Sequence, residues 1–230
     1  MLSLSTILRP WQWGSDKCTW CSTSDFRQLR AHMRDSAPLR MDELRAAYND
    51  IASALADEDI PFAVVGGYAI IAYGADRGRM TQDIDFFVNG RPRDLIKVLR
   101  RHPGVMIMEE SCRANYFRVY YLLPSSNGSL RYVGIDFTLI PSSALDLREY
   151  QGYTDDRTRV LTLNALVEAK LEAFYVSGAA KDRNDIFNLV SKYGTHIKSK
   201  RQNQERVNFF LEHCGFMYEA RQILEFVLRQ

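Results

Sequence analysis

The sequence predicts an α+β chain in which a strand-bearing core is followed by a C-terminal bundle of helices. Two observations predict it. Between Phe62 and Val88 an apolar run passes through Gly66-Gly67 into a short helical pattern and then into a second apolar run carrying Asp83 and Asp85. After about residue 160 the pattern becomes wholly helical, and strands first with helices last is the α+β order. The boundaries read as an N-terminal extension at 1–40, a catalytic core at 41–160, and a helical region at 161–230 that completes the cleft.

The elements follow in order. Leu44, Tyr48, Ile51 and Leu55 recur at helical spacing from Met41 to Asp59, with Asp42 and Glu43 in the first turn. Phe62–Val65 reads as a buried strand, Tyr68–Tyr73 as a short apolar helix closed by Gly74, and Thr81–Val88 as a second strand after the polar loop ADRGRM. Arg91–Arg101 is amphipathic, Val105–Met108 is a short strand, and Asn115–Leu123 and Leu130–Ile140 flank SSNGS as a hairpin. Asn164 is the expected cap of ALVEAKLEAFYVSG, which Gly178 ends, and the next helix ends at Gly194. Helices at about Gln204–Cys214 and Met217–Leu228 finish the chain.

Composition bounds the class. The chain has 230 residues, 46% hydrophobic and 25% charged, as in an ordinary soluble globular protein. Lys and Arg number 30 against 28 Asp and Glu, so the net charge of +2 indicates no particular partner. No apolar run approaches the roughly 20 residues of a membrane span, so no membrane partner is expected. Cys18, Cys21, Cys112 and Cys214 form no disulfide framework, which points to an intracellular, cytoplasmic setting. The Cys18-x-x-Cys21 pair has no second pair at metal spacing, so two free thiols on a turn are preferred over a zinc site. MLSLSTILRPWQW has some character of an organelle-targeting segment, but Asp16 and Asp25 follow too closely.

The chemistry lies in the carboxylates. Residues i and i+2 of a strand share a face, so Asp83 and Asp85 project side by side. Such a pair repels itself and resists burial without a cation, and a divalent metal is the economical answer. A Gly-Gly turn before a helix offers backbone N–H groups to phosphates. Asp136, between Ile135 and Phe137, adds a third acid on a later strand. Two metal ions bridging such acids can activate a hydroxyl and steady a leaving pyrophosphate. The competing reading has Asp83 capping a turn, Asp85 facing solvent and Asp136 pairing with an arginine.

GGYAIIAYGADRGRMTQDID resembles the signature of the DNA polymerase beta-type nucleotidyltransferase superfamily, in particular the branch of AbiEii-type toxins and related small nucleotidyltransferases. The resemblance spans about 60–195. It implies the nucleotidyltransferase fold, a mixed β-sheet with flanking helices, and transfer of a nucleoside monophosphate from an NTP to an acceptor with Mg2+ (two ions, with Mn2+ as substitute). By the same resemblance Gly66 and Gly67 contact the triphosphate, and Arg79 and Thr81 lie beside it. Asp83 and Asp85 hold metal, and Asp136 is the third acid, which favours deprotonation of the attacking hydroxyl. ALVEAKLEAFYVSGAAKDRNDIFNL matches the family's helical motif: Lys170 reaches the phosphates, and Lys181, Asp182 and Asp185 shape the nucleotide side of the cleft. Independently, Lys170 lies on a helix whose Leu166, Leu171 and Phe174 look buried, so its ammonium needs an anionic partner.

The acceptor is left open among tRNA or another nucleic acid, a small hydroxylated molecule, and a protein side chain. The basic stretch Lys192–Arg206 is the one feature favouring RNA, and a solvated inter-helix loop accounts for it as well. A reading from another class has the same fold acting as a nucleotide-binding or interaction module without turnover.

Overall fold

The structure is a computed structural model that describes residues 19–20, 38–107, 115–123, 131–141, 146–154, 156–197, 202–215 and 218–229. The Cys18–Cys21 pair, Cys112, the SSNGS turn, nearly all of the 1–40 extension, and Lys198, Lys200 and Arg201 of the basic stretch lie outside them. The architecture is mixed α/β and separates into two compact units, each built from non-contiguous stretches: Met1–Pro61 with Val88–Ile140, and Phe62–Phe87 with Pro141–Gln230.

In the first unit, α1 (Met41–Asp57) buries Leu44, Ala47, Tyr48, Ile51 and Leu55, the stripe that the periodicity anticipated. Its sheet runs β1-β4-β5-β6, with β1 (Thr19–Trp20), β4 (Val105–Ile107), β5 (Tyr116–Leu123) and β6 (Arg131–Leu139). β1 pairs parallel to β4, and β4, β5 and β6 are antiparallel neighbours. The register sets Phe117 opposite Phe137, their rings stacked at 5.1 Å between centroids, and sets Arg118 opposite Asp136. A further helix, Pro92–Leu99, buries Leu95, Val98 and Leu99.

In the second unit, β2 (Phe62–Val65) is buried along its whole length and runs directly into α2 (Gly66–Ala72). The strand order is β3-β2-β8-β7, with β3 (Asp83–Val88), β7 (Gln151–Tyr153) and β8 (Arg159–Leu161). β8 lies parallel to β2, Val64 opposite Val160, and antiparallel to β7. The helices are α4 (Leu147–Tyr150), α5 (Leu163–Ser177), α6 (Ala180–Tyr193), α7 (Gln204–His213) and α8 (Tyr218–Arg229), counting the Pro92–Leu99 helix as α3.

Two expectations need correction, and strands β7 and β8 occupy part of 141–161, where the sequence predicts no element; at three residues each they are too short to show a period. The residue preceding α5 is Thr162, so Asn164 lies inside the helix and does not cap it. The short helix starts at Gly66 itself, so the glycine pair forms its first turn. Among the described residues no helix is long and apolar enough to cross a membrane.

Candidate active site

Strand β3 alternates in burial: Ile84, Phe86 and Val88 are buried, and Asp83, Asp85 and Phe87 lie on the half-exposed face. Period-2 geometry therefore places both carboxylates on one side, where ions and ligands can reach them. The buried Thr81 hydroxyl donates to Asp83, 3.0 Å to the carboxylate and 3.2 Å to the backbone carbonyl, and so orients Asp83 from the preceding loop. Asp85 sits against the glycine turn. A Cβ on Gly66 would fall 1.9 Å from Asp85 Oδ2, and Gly66 holds a φ of +64°, a region that L side chains rarely adopt. Glycine is required there twice over, by backbone conformation and by the approach of the carboxylate.

Gly67 is required by a different neighbour. A Cβ there would lie 2.2 Å from Arg77 Nη1 and 2.7 Å from Thr81 Oγ1. Arg77 was not among the residues singled out from sequence, yet it belongs to a buried cluster of four charged side chains in this unit. Its Nε and Nη2 donate to the two oxygens of Asp185 at 2.7 and 3.0 Å, a bidentate fork. Lys170 Nζ donates to Asp182 Oδ1 at 2.9 Å and lies 2.8 Å from Asp185 Oδ2. The side chains of Arg77, Lys170, Asp182 and Asp185 are 3, 10, 6 and 2% exposed. Two cations and two anions thus neutralise one another away from water, which buried charges need. The anionic partner that Lys170 requires is supplied from α6, one turn into which Asp182 and Asp185 point back at α5. Burial pushes the Asp185 carboxyl up, but the Arg77 hydrogen bonds and the Lys170 charge outweigh it and hold it below its ordinary value.

Lys181 and Arg79 are exposed and make no part of this cluster. Arg77 and Arg79 are two residues apart in a loop without periodicity, and nothing in the sequence ranks one over the other. Gly78 between them has a φ of +62° and turns the backbone there. The signal that could have identified Arg77 is the need of Asp185, on an apolar helix face, for a cation from outside its own helix.

Asp136 lies in the first unit, on β6. Both of its oxygens are engaged: Arg118 Nε donates to Oδ1 at 2.6 Å, Arg118 Nη2 donates to Oδ2, and the Tyr116 hydroxyl donates to Oδ1 at 2.5 Å. Burial, and then the bond to Asp136, pushes the Tyr116 hydroxyl up to about 12. The bonds to Asp136 raise Arg118 above its ordinary value. Of the readings open for Asp136, pairing with an arginine is the arrangement observed.

Among the described residues no group of three or more His, Cys, Asp or Glu is gathered for a metal ion. Asp83 and Asp85 by themselves form a two-carboxylate, all-oxygen donor set beside a glycine turn. That set fits Mg2+, which is commonly held by one or two carboxylates and completed by waters and phosphate oxygens.

Residues 50–226 match the family described as nucleotidyl transferase AbiEii toxin, type IV toxin–antitoxin system. The chain belongs to that family. An AbiEii-family chain is a nucleotidyltransferase, a transferase enzyme that uses an NTP and an acceptor. No curated protein matches the sequence. Among solved structures, an antigenic nucleotidyltransferase-like protein from Paracoccidioides brasiliensis is similar, with 17% identity, a TM-score of 0.56, and coverage of 81% of this chain and 95% of that one. At that identity the likeness is one of fold, and it agrees with the nucleotidyltransferase fold that the AbiEii resemblance implied. Lower scores were found for MenT4, a nucleotidyltransferase toxin from Mycobacterium tuberculosis H37Rv (14% identity, TM-score 0.44, 80% of this chain and 68% of that one). ANT(2'')-Ia in complex with adenylyl-2''-tobramycin gives 16% identity, a TM-score of 0.45, and coverage of 73 and 95%.

Proposed function

We propose that this AbiEii-family chain moves a nucleoside monophosphate from an NTP to a hydroxyl acceptor, with Mg2+ held at Asp83 and Asp85. One observation carries the proposal: two carboxylates stand side by side on the half-exposed face of β3, one of them packed against Gly66 at the turn that enters α2. The acceptor oxygen attacks the α-phosphorus, the bond to the β-phosphate breaks, and pyrophosphate leaves. Bound Mg2+ would supply positive charge to the phosphate oxygens during that exchange. Thr81 keeps Asp83 in place, and the glycine turn with Arg79 receives the triphosphate. The Lys170–Asp182–Asp185–Arg77 cluster fixes α5 and α6 relative to the loop that ends in Thr81. Both oxygens of Asp136 are taken by Arg118 and Tyr116, so in this reading the acceptor's proton passes to solvent.

Pyrophosphate release with each of the four NTPs and Mg2+, in the presence of total RNA or a metabolite extract, tests the proposal. Release should occur with one acceptor pool and fall by at least about a hundredfold in Asp83→Ala, whose fold stays intact. RNA as the productive pool, with affinity that drops steeply as salt rises, would name nucleic acid as the acceptor. Undiminished release from Asp83→Ala would refute the assignment, and NTP binding without release would leave a nucleotide-binding module.

A further inference from the structure

Arg77 has a donor that the fold does not use. Its side chain is 3% exposed, and Nε and Nη2 are committed to Asp185. Nη1 is buried and has no hydrogen-bond partner among the described residues. A guanidinium carries five N–H donors and does not give up its charge inside a protein. A buried charged donor without an acceptor is costly, and interiors keep few of them. The position of this one is telling. Nη1 occupies the space that a side chain at position 67 would need, 2.2 Å from the ideal Cβ, and Thr81 Oγ1 lies 2.7 Å from the same point. The unused donor therefore borders the glycine turn and the hydroxyl that orients Asp83. Arg79, on the other side of Gly78, is exposed and cannot fill this place.

We infer that Arg77 is a further polyphosphate-binding residue: Nη1 donates to a phosphate oxygen at the Gly66-Gly67 turn while Nε and Nη2 remain on Asp185. The inference rests on the proposed reading of that turn as the triphosphate site. It explains why an arginine is used. The fork anchors on Asp185, the third nitrogen is left for an anion, and a lysine has no such division of labour. It also links the turn to Lys170 through Asp185, so an anion at the turn meets a donor already held in place.

The test uses the full chain and two probes with Mg2+, inorganic tripolyphosphate and the NTP it binds best, with binding measured by calorimetry. Arg77→Lys keeps the charge and removes the fork; Arg77→Met with Asp185→Asn removes both charges together, in case Arg77→Lys does not fold. A variant with native circular dichroism should bind tripolyphosphate and NTP about tenfold or more weakly while its affinity for the unphosphorylated nucleoside is unchanged. Equal affinity for tripolyphosphate in wild type and a folded variant would overturn the inference alone and assign Nη1 to a water. An equal loss for nucleoside and tripolyphosphate would overturn it too, in favour of a general structural role. If the wild-type chain binds neither tripolyphosphate nor any NTP, the phosphate reading of the turn falls, and the inference with it.

Discussion

Asp185 accepts from Arg77 and faces Lys170 at the same time, with 2% of its side chain exposed. Removing one partner of a buried charged set strands the others, which costs roughly 3–5 kcal/mol. Asp185→Asn should therefore lower stability by about that amount at neutral pH, because Arg77 loses the carboxylate to which its Nε and Nη2 donate. Its pH dependence is a sharper readout. The folded carboxyl lies below its ordinary value of 3.8, so the folded state holds the proton less tightly than the unfolded chain. The stabilisation is then fully present above about pH 4, near the unfolded value, and is lost as pH falls through the folded value. Urea unfolding across pH 2–7 should show a steep acid limb in the wild type and a flatter one in Asp185→Asn. Parallel limbs would mean that Asp185 is not titrating as its surroundings dictate.

At the scale of elements, the glycines that close α5 and α6 were clear signals in the sequence, whereas the helix starts were not. Gly178 closes α5 in the left-handed region at a φ of +62°, and an added Cβ would meet nothing within 4 Å. Gly178→Ala should thus cost only the backbone strain, about 1 kcal/mol, visible as a lower urea midpoint with unchanged slope and with transferase activity retained. A much larger loss would reveal packing that the open space at this position denies. The same legibility extends to β3, where period-2 geometry put the two half-exposed carboxylates on one face, and to Lys170, whose place on an apolar helix stripe required an anion. It stopped where no period exists. Arg77 sits in a loop, β7 and β8 are three residues long, and Arg118 meets Asp136 through a register that depends on the geometry of a hairpin. Long-range pairing of this kind is decided by the fold and leaves no local pattern.

At the scale of the molecule, the chain order misleads about which parts can stand alone. A division at about residue 160 separates strands from helices in sequence, yet the helices of 163–229 share their compact unit with Phe62–Phe87. Parallel β8 pairs with β2, nearly a hundred residues earlier, and Tyr73 donates its hydroxyl to the Leu161 carbonyl at 2.7 Å. Asp185 takes its guanidinium from position 77, and Lys192 donates to the carbonyl of Gly74 at 2.6 Å. A fragment of residues 161–230 would keep the packing of α5 against α6 and α7 but would lose Arg77, α2 and all of β8 except Leu161. The buried carboxylates would be left with Lys170 alone, and the helix faces packed against β8 and α2 would be open. We expect that fragment to show helical circular dichroism without a cooperative thermal transition, while the full chain unfolds cooperatively. Adding residues 41–160 in trans should restore the transition, because the missing partners all lie there. A sharp, cooperative transition of the fragment alone would make the helical region an independent domain, and the ties to Arg77 and β8 would then be dispensable for its fold.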